Sequence, residues 1–188
     1  MAEVAKKHGA VFHGMDISLA PFPDDARSIA GAIERLGVGR YGAGGTLFAS
    51  AMVADALRSA RVRRCGFSGL MLPILEDSAL AERHREGSYT IGDLLTYSAV
   101  CGTGLDTVPV PGDVTAEQAG RVYLDVCALS VRLRKPLTVR LMPIRGKRAS
   151  DLVTFDFPYF APTTVARLPE IENASTLFNR GDWTTRGG

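Results

Sequence analysis

Cys101-Gly-Thr-Gly-Leu-Asp-Thr-Val-Pro-Val-Pro-Gly-Asp113 is the stretch on which the reading of this chain turns. It gathers a thiol, two hydroxyls, two carboxylates, three glycines and two prolines into one short connection. Glycines free the backbone and prolines fix it, so such a stretch can be shaped closely and a ligand can approach it. It is expected to be the functional loop. Thr90–Val100 reads as a helix delivered straight into it, and Asp106–Val110 as a short extended piece leading away.

Downstream, Asp113-Val-Thr-Ala-Glu-Gln118 carries cap signals for a helix from Thr115 to about Arg134. Ala119, Val122, Val126, Leu129 and Leu133 recur at helical spacing, which places Cys127 in the core. Lys135-Pro136 ends the helix. Leu137–Pro143 alternates as a strand, with Thr138 and Arg140 on one face. A turn at Arg145–Arg148 precedes Asp151–Phe160, and the tail after Arg167 is polar and reads as poorly tied down.

Upstream, residues 2–8 form a helix stopped by Gly9, and Val11–Ala20 reads as a buried strand. Asp16 and Ser18 share one of its faces; Met15, Ile17 and Leu19 share the other. A polar face on an apolar strand suits a barrel interior or a ligand crevice. The alternative is that Asp16 caps a helix or pairs with an arginine. Asp24 and Asp25 are N-cap candidates for a helix over Ser28–Leu36, stopped by Gly37 and Gly39. The glycine-rich turn Arg40–Thr46 lacks the P-loop ending and the dinucleotide spacing, and reads as close packing against the next helix.

That helix, Thr46–Ala60, is expected to face the core with Leu47, Phe48, Ala51, Met52, Ala54 and Leu57. Arg58, Arg61, Arg63 and Arg64 complement the dipole at its end; without interleaved aromatics they do not make a nucleic-acid surface. Cys65–Leu75 is the second buried strand. Gly66 and Gly69 mark a close approach by backbone or ligand. Asp77 is assigned as the cap of the helix beginning at Ser78, while Glu76 stays open between cap and site. His84 is read as solvated. His8 and His13 lack partners at ligand spacing, so no metal set and no catalytic triad is expected.

The bulk properties frame these elements. A chain of 188 residues, 46% hydrophobic and 22% charged, can bury one sizeable core. A net charge of +2 argues against a nucleic-acid footprint. No apolar run reaches the roughly 18 residues of a membrane span, and the start lacks the apolar core of a signal peptide. Three widely spaced cysteines fit a reducing cytosol rather than a disulfide framework. The order of elements is alternating α/β, a parallel sheet or an incomplete barrel.

Asp16-Ile-Ser-Leu-Ala-Pro21, Cys65-Gly-Phe-Ser-Gly-Leu-Met-Leu-Pro73, Tyr97–Asp106 with Pro-Gly-Asp113, and Asp156-Phe-Pro-Tyr-Phe160 together resemble one family. It is domain-of-unknown-function family 711, also called uncharacterised protein family 0210. The resemblance runs from about Ala5 to about Val165, motif by motif in order. It implies part, about half, of an α/β barrel like that of pyruvate formate-lyase and other glycyl radical enzymes, with a loop through the barrel centre. Members are about twice this length or more, so the chain resembles the C-terminal half, residues 1–167, with a divergent tail at 168–188. No catalytic residue and no cofactor comes over with the resemblance.

Arg63-Arg-Cys-Gly-Phe67 echoes the Arg-x-x-Gly-aromatic signature of glycyl radical enzymes. It precedes the cysteine stretch instead of following it, leads into a strand, and lies in too short a chain, so a radical is not expected. Two functions are weighed. One is an enzyme, or half of one, acting on a small polar metabolite. Cys101 would be its nucleophile or thiol relay, Asp106 or Asp16 its acid/base, and Gly102, Thr103 and Gly104 an N–H cradle for an oxyanion. Ser18, Glu76, Asp113 and Arg140 would complete the ligand contacts around one shared cavity. The other is a regulatory or metabolite-binding protein in which Cys101 is only packed. A thiol at a shaped loop should be the most accessible of the three, and Cys127 the least. Open barrel edges imply a partner, either an N-terminal-half chain or a second copy.

Overall fold

A computed structural model gives the structure of residues 1–168. The tail expected beyond Arg167 lies, apart from a buried Leu168, outside the described residues. Six α-helices are present among them: α1 (Ala2–Lys7), α2 (Ile29–Ile33), α3 (Thr46–Ser59), α4 (Ser78–Arg85), α5 (Ile91–Cys101) and α6 (Ala116–Leu133). The strands are β1 (Gly104–Pro111), β2 (Thr138–Ile144), β3 (Leu152–Val153) and β4 (Thr163–Thr164). The chain is mixed α/β, and no closed barrel is formed among the described residues.

β1 and β2 pair in parallel, from Gly104 opposite Thr138 to Pro111 opposite Ile144. The layer continues past them in extended segments held by single bridges. Pro73 bridges Asp106, Leu19 bridges Leu70 and Met15 bridges Arg64, all in parallel. Four segments thus lie side by side in sequence order: 15–19, 64–73, β1 and β2. Parallel neighbours need long crossovers. The first crossover carries α2 and α3, the second α4 and α5, the third α6. Leu70, Leu72, Leu105, Val108 and Val110 join the buried helix residues in one core. β3 and β4 form a separate antiparallel pair.

The stretch expected to be a loop is therefore a strand, buried from Gly104 to Val110. The connection from α5 shrinks to Gly102 and Thr103. Prolines are compatible with this strand because of their side. Pro109 O accepts from Ala166 N–H, on the edge away from β2, so its missing N–H costs no ladder bond there. Gly104 admits the close approach of β2, since a Cβ on it would stand 2.3 Å from Thr138 O. A bulge follows at Asp106–Thr107, where Thr107 takes φ +41, a strained angle for a β-branched residue.

Several other expectations are corrected. Val11–Ala20 is extended but is the open edge of the layer, exposed or half-buried throughout; Val11 is 74% exposed. α3 turns Thr46, Ala49, Ser50 and Ala54 inward and leaves Phe48 70% and Met52 52% exposed. Small residues let α3 approach α5 closely, which bulky ones would prevent. On α6 only Val122 and Val126 are buried, and Cys127 lies on the exposed side. Asp24 caps the short 3-10 turn Asp25–Arg27, and Ser28 caps α2. His84 is buried, not solvated, with Nδ1 3.3 Å from Thr163 Oγ1.

The caps at Thr90 and Thr115 close full capping boxes with Asp93 and Gln118. Asp77 does more than cap one helix. Its Oδ1 accepts from Leu80 N–H at the start of α4 and from Ser28 Oγ at 2.5 Å. Its Oδ2 accepts from Ile29 and Ala30 N–H, at the start of α2. One buried carboxylate holds the first turns of two helices together.

Asp77→Ala removes two caps and strands several buried donors, so it should cost about 4 kcal/mol, read as a lower urea midpoint. An unchanged midpoint would show that the junction contributes nothing. His84 yields a pH prediction. Burial lowers its pKa from 6.5 to about 4. Its neutral form is favoured in the fold, so the associated stability is present above pH 6.5 and lost as pH falls towards 4, by up to about 3 kcal/mol. Melting curves from pH 7 to 4 should fall less steeply for His84→Phe than for the parent; equal slopes would remove His84 from the account.

Candidate functional site

Cys101 is the last residue of α5, and Gly102 follows at φ +75, the left-handed angle that closes many helices. The thiol is 1% exposed. Cys101 Sγ lies 3.3 Å from Thr103 Oγ1 and receives Thr103 N–H at 3.5 Å, while Thr103 Oγ1 donates to Leu70 O at 2.8 Å. These bonds stitch the end of α5 to the adjoining segment of the layer. The Thr103 N–H is thereby directed at the thiol, and Gly104 is pressed on Thr138. Gly102–Gly104 is thus shaped by the chain itself.

Beside it lies a cavity of about 440 Å³. Its walls are the turn Cys65–Gly69, the ends of α3 and α6, Cys101 and Gly102. Three cations enter it: Arg58, Arg64 and Lys135. Lys135 Nζ donates to Phe67 O at 2.7 Å, and a Cβ on Gly102 would stand 2.9 Å from that nitrogen. Burial pulls the Lys135 pKa below the ordinary lysine value; Arg58 and Arg64 add to this, and Cys101 and Asp16 oppose it. Among the described residues no aspartate or glutamate lines the cavity.

Asp16 stands behind the wall. It accepts from Ser18 Oγ at 2.6 Å and from the N–H groups of Ser18, Phe67 and Ser68, while Ser18 Oγ accepts from Gly69 N–H. The Ser18 hydroxyl and these N–H groups hold the Asp16 pKa below its ordinary value. Asp16 and Ser18 therefore shape the Cys65–Gly69 turn, and neither lines the cavity.

Asp106 lies elsewhere. By strand alternation it faces away from Leu105 and the helices, 3% exposed, and accepts from Arg140 Nε at 2.6 Å. Arg140 Nη2 reaches Glu76 Oε1 at 2.6 Å. Burial raises the Glu76 pKa, Arg140 opposes the rise and Asp106 adds to it. None of these three lines the thiol cavity. Asp113 is exposed in the turn before α6. The expected single site thus divides into a thiol-and-cation cavity and an Asp106–Arg140–Glu76 cluster.

The order of thiol exposure is the reverse of that expected: Cys127 is exposed, Cys65 half-buried and Cys101 buried. In the sequence, Lys135, Arg58 and Arg64 stand only as helix ends. Register holds the signal for Lys135. Because Gly104 pairs with Thr138, the residues just before each strand are brought together. Among the described residues no group of three or more His, Cys, Asp or Glu could hold a metal, and no helix is long and apolar enough to cross a membrane.

The family profile described as Uncharacterised ACR (DUF711) matches residues 1–163, which include the edge segment, both walls of the cavity and β1. The chain belongs to that family. A UPF0210 protein of Pyrobaculum arsenaticum is 40% identical over 153 residues, covering 79% of this chain and 34% of the relative. One from Methanosarcina barkeri is 36% identical over 157 residues, 81% of this chain and 35% of the relative. A third, from Lactobacillus delbrueckii subsp. bulgaricus, is 33% identical over 184 residues, 95% and 40% respectively. The chain spans between a third and two-fifths of the length of these relatives.

Proposed function

We propose that this chain supplies the thiol-bearing portion of an enzyme that acts on a small polar metabolite, without a glycyl radical. The observation that supports it is the meeting of Cys101, Gly102 and Lys135 at one cavity. Lys135, whose charged form burial disfavours, can take a proton from a thiol and return it. That role falls to Lys135 rather than to Asp16 or Asp106, neither of which lines the cavity. The body around it is proposed to be an α/β barrel of the pyruvate formate-lyase type. Its further strands would come from the rest of the family's length or from a second copy, because among the described residues the 15–19 edge has no bridge on its outer side.

A second reading has its own support. Cys101 Sγ is already bonded to Thr103 and almost fully covered, as in a protein that binds a metabolite without changing it. Alkylation with iodoacetamide separates the two. In a Cys65→Ser, Cys127→Ser chain, Cys101 should react in the native state, several-fold more slowly when Lys135 is replaced by Gln. A thiol that reacts only on unfolding supports the binding protein instead. Assembly is tested by sedimentation of the chain expressed alone, which should show a dimer or larger species. A monomer with a cooperative melt would overturn the proposed completion of the barrel.

A further inference from the structure

We propose that the cavity between the ends of α3 and α6 and the Cys65–Gly69 turn is an oxyanion site. It would take a small metabolite through a carboxylate or phosphate group held by Lys135, Arg64 and Arg58. The inference rests on the same cavity as the enzymatic reading and names the chemistry of its ligand.

Several arginines of this chain sit on carboxylates: Arg27 on Asp24, Arg40 on Glu86, Arg83 on Glu34, Arg140 on Asp106 and Glu76. Among the described residues Lys135 bonds to a backbone carbonyl, that of Phe67, and Arg64 to that of Leu57 at 3.5 Å. Arg58 pairs with Asp55 on α3, but Asp55 is not part of the wall. Asp16 acts on Lys135 electrostatically, but its oxygens are occupied by Ser18, Phe67 and Ser68. Arg58 and Arg64 are exposed and Lys135 is half-buried at the rim of this recess, so an entering anion meets three positive groups, of which only Arg58 already holds a carboxylate among the described residues.

Shape agrees with charge. A volume of about 440 Å³ lies in the range of small-molecule sites. Gly102 leaves room for the Lys135 ammonium, which any side chain there would displace. The lysine offers a point charge, and the two arginines offer planar forks that match carboxylate and phosphate oxygens. An anion so held sits beside the Cys101 thiol.

The test uses inorganic phosphate in one arm and oxalate in the other, with sodium chloride at equal ionic strength as reference. One arm should raise the melting temperature saturably beyond chloride, and the arm that responds names the head group. Lys135→Met and Arg64→Met should each weaken that response about tenfold, the usual effect of losing one charge-assisted bond. Cys101→Ala keeps all three cations and should leave it intact. If Lys135→Met fails to fold, Arg64→Met and a reagent comparison decide. Iodoacetate relative to iodoacetamide should be favoured several-fold at Cys65 and Cys101 over the exposed Cys127 of the same molecule.

No saturable response to either anion overturns the proposal, as does a response that survives loss of the cations. A Cys101 that is alkylated under Lys135 control in a chain that binds no anion refutes this inference and leaves the enzymatic reading standing. An inert Cys101 in a chain that binds phosphate or oxalate does the reverse.

Discussion

A single buried carboxylate organises the helical half of this molecule. Asp77 accepts two N–H bonds from the start of α2, one from the start of α4, and the hydroxyl of Ser28. Helix starts carry unpaired donors and partial positive charge, so two of them converging on one point need an anion between them. With that junction set, α4 leaves the layer at a defined angle. Leu80 and Tyr89 then close the core, the Tyr89 hydroxyl bonding to Leu80 O. Tyr41 meets Tyr89 and Tyr97 edge-on in the same core.

The parallel layer in turn places the cavity. β1 runs through its middle, and both of its neighbours are fixed near its first residues by backbone bonds: Leu70 N–H to Cys101 O on one side, Thr138 N–H to Thr103 O on the other. Everything entering the layer at that end is therefore brought together. Cys101 and Gly102 arrive from α5, Lys135 from α6, and the Cys65–Gly69 turn from the preceding segment. The thiol and the cations meet because three connections share one end of one layer.

Local chemistry was the most legible part of the sequence. Capping boxes and the alternation of Leu137–Pro143 are statements about neighbouring residues, and they appear as helix starts and as β2. Faces were harder. Phe48 and Met52 look like core residues, yet α3 packs through alanine, serine and threonine, because close approach to α5 outweighs side-chain size. Cys127 lies on a helix whose apolar arc is broader than its contact with α5 and β2. The stretch from Cys101 misled through its composition. Glycines and prolines mark loops in isolation, but here one glycine admits β2 and one proline points its missing donor away from it. Lys135 was illegible for a different reason. Its partners, Phe67 O and Gly102, are far away in sequence, and only strand register unites them.

The spacing of the layer also sets a schedule for synthesis. Leu19 pairs with Leu70, so the first extended segment meets its neighbour only after about fifty more residues have been made. At the roughly 5–20 residues per second of a ribosome, that is a wait of several seconds. During it, Val11, Met15, Ile17 and Leu19 lack the neighbour that Leu70 later brings, and an apolar strand edge left waiting is one that other nascent chains can join. Asp16 and Ser18 interrupt that run. Before they hold the turn beside the cavity, a charge and a hydroxyl in its centre keep the waiting strand from pairing with the wrong chain.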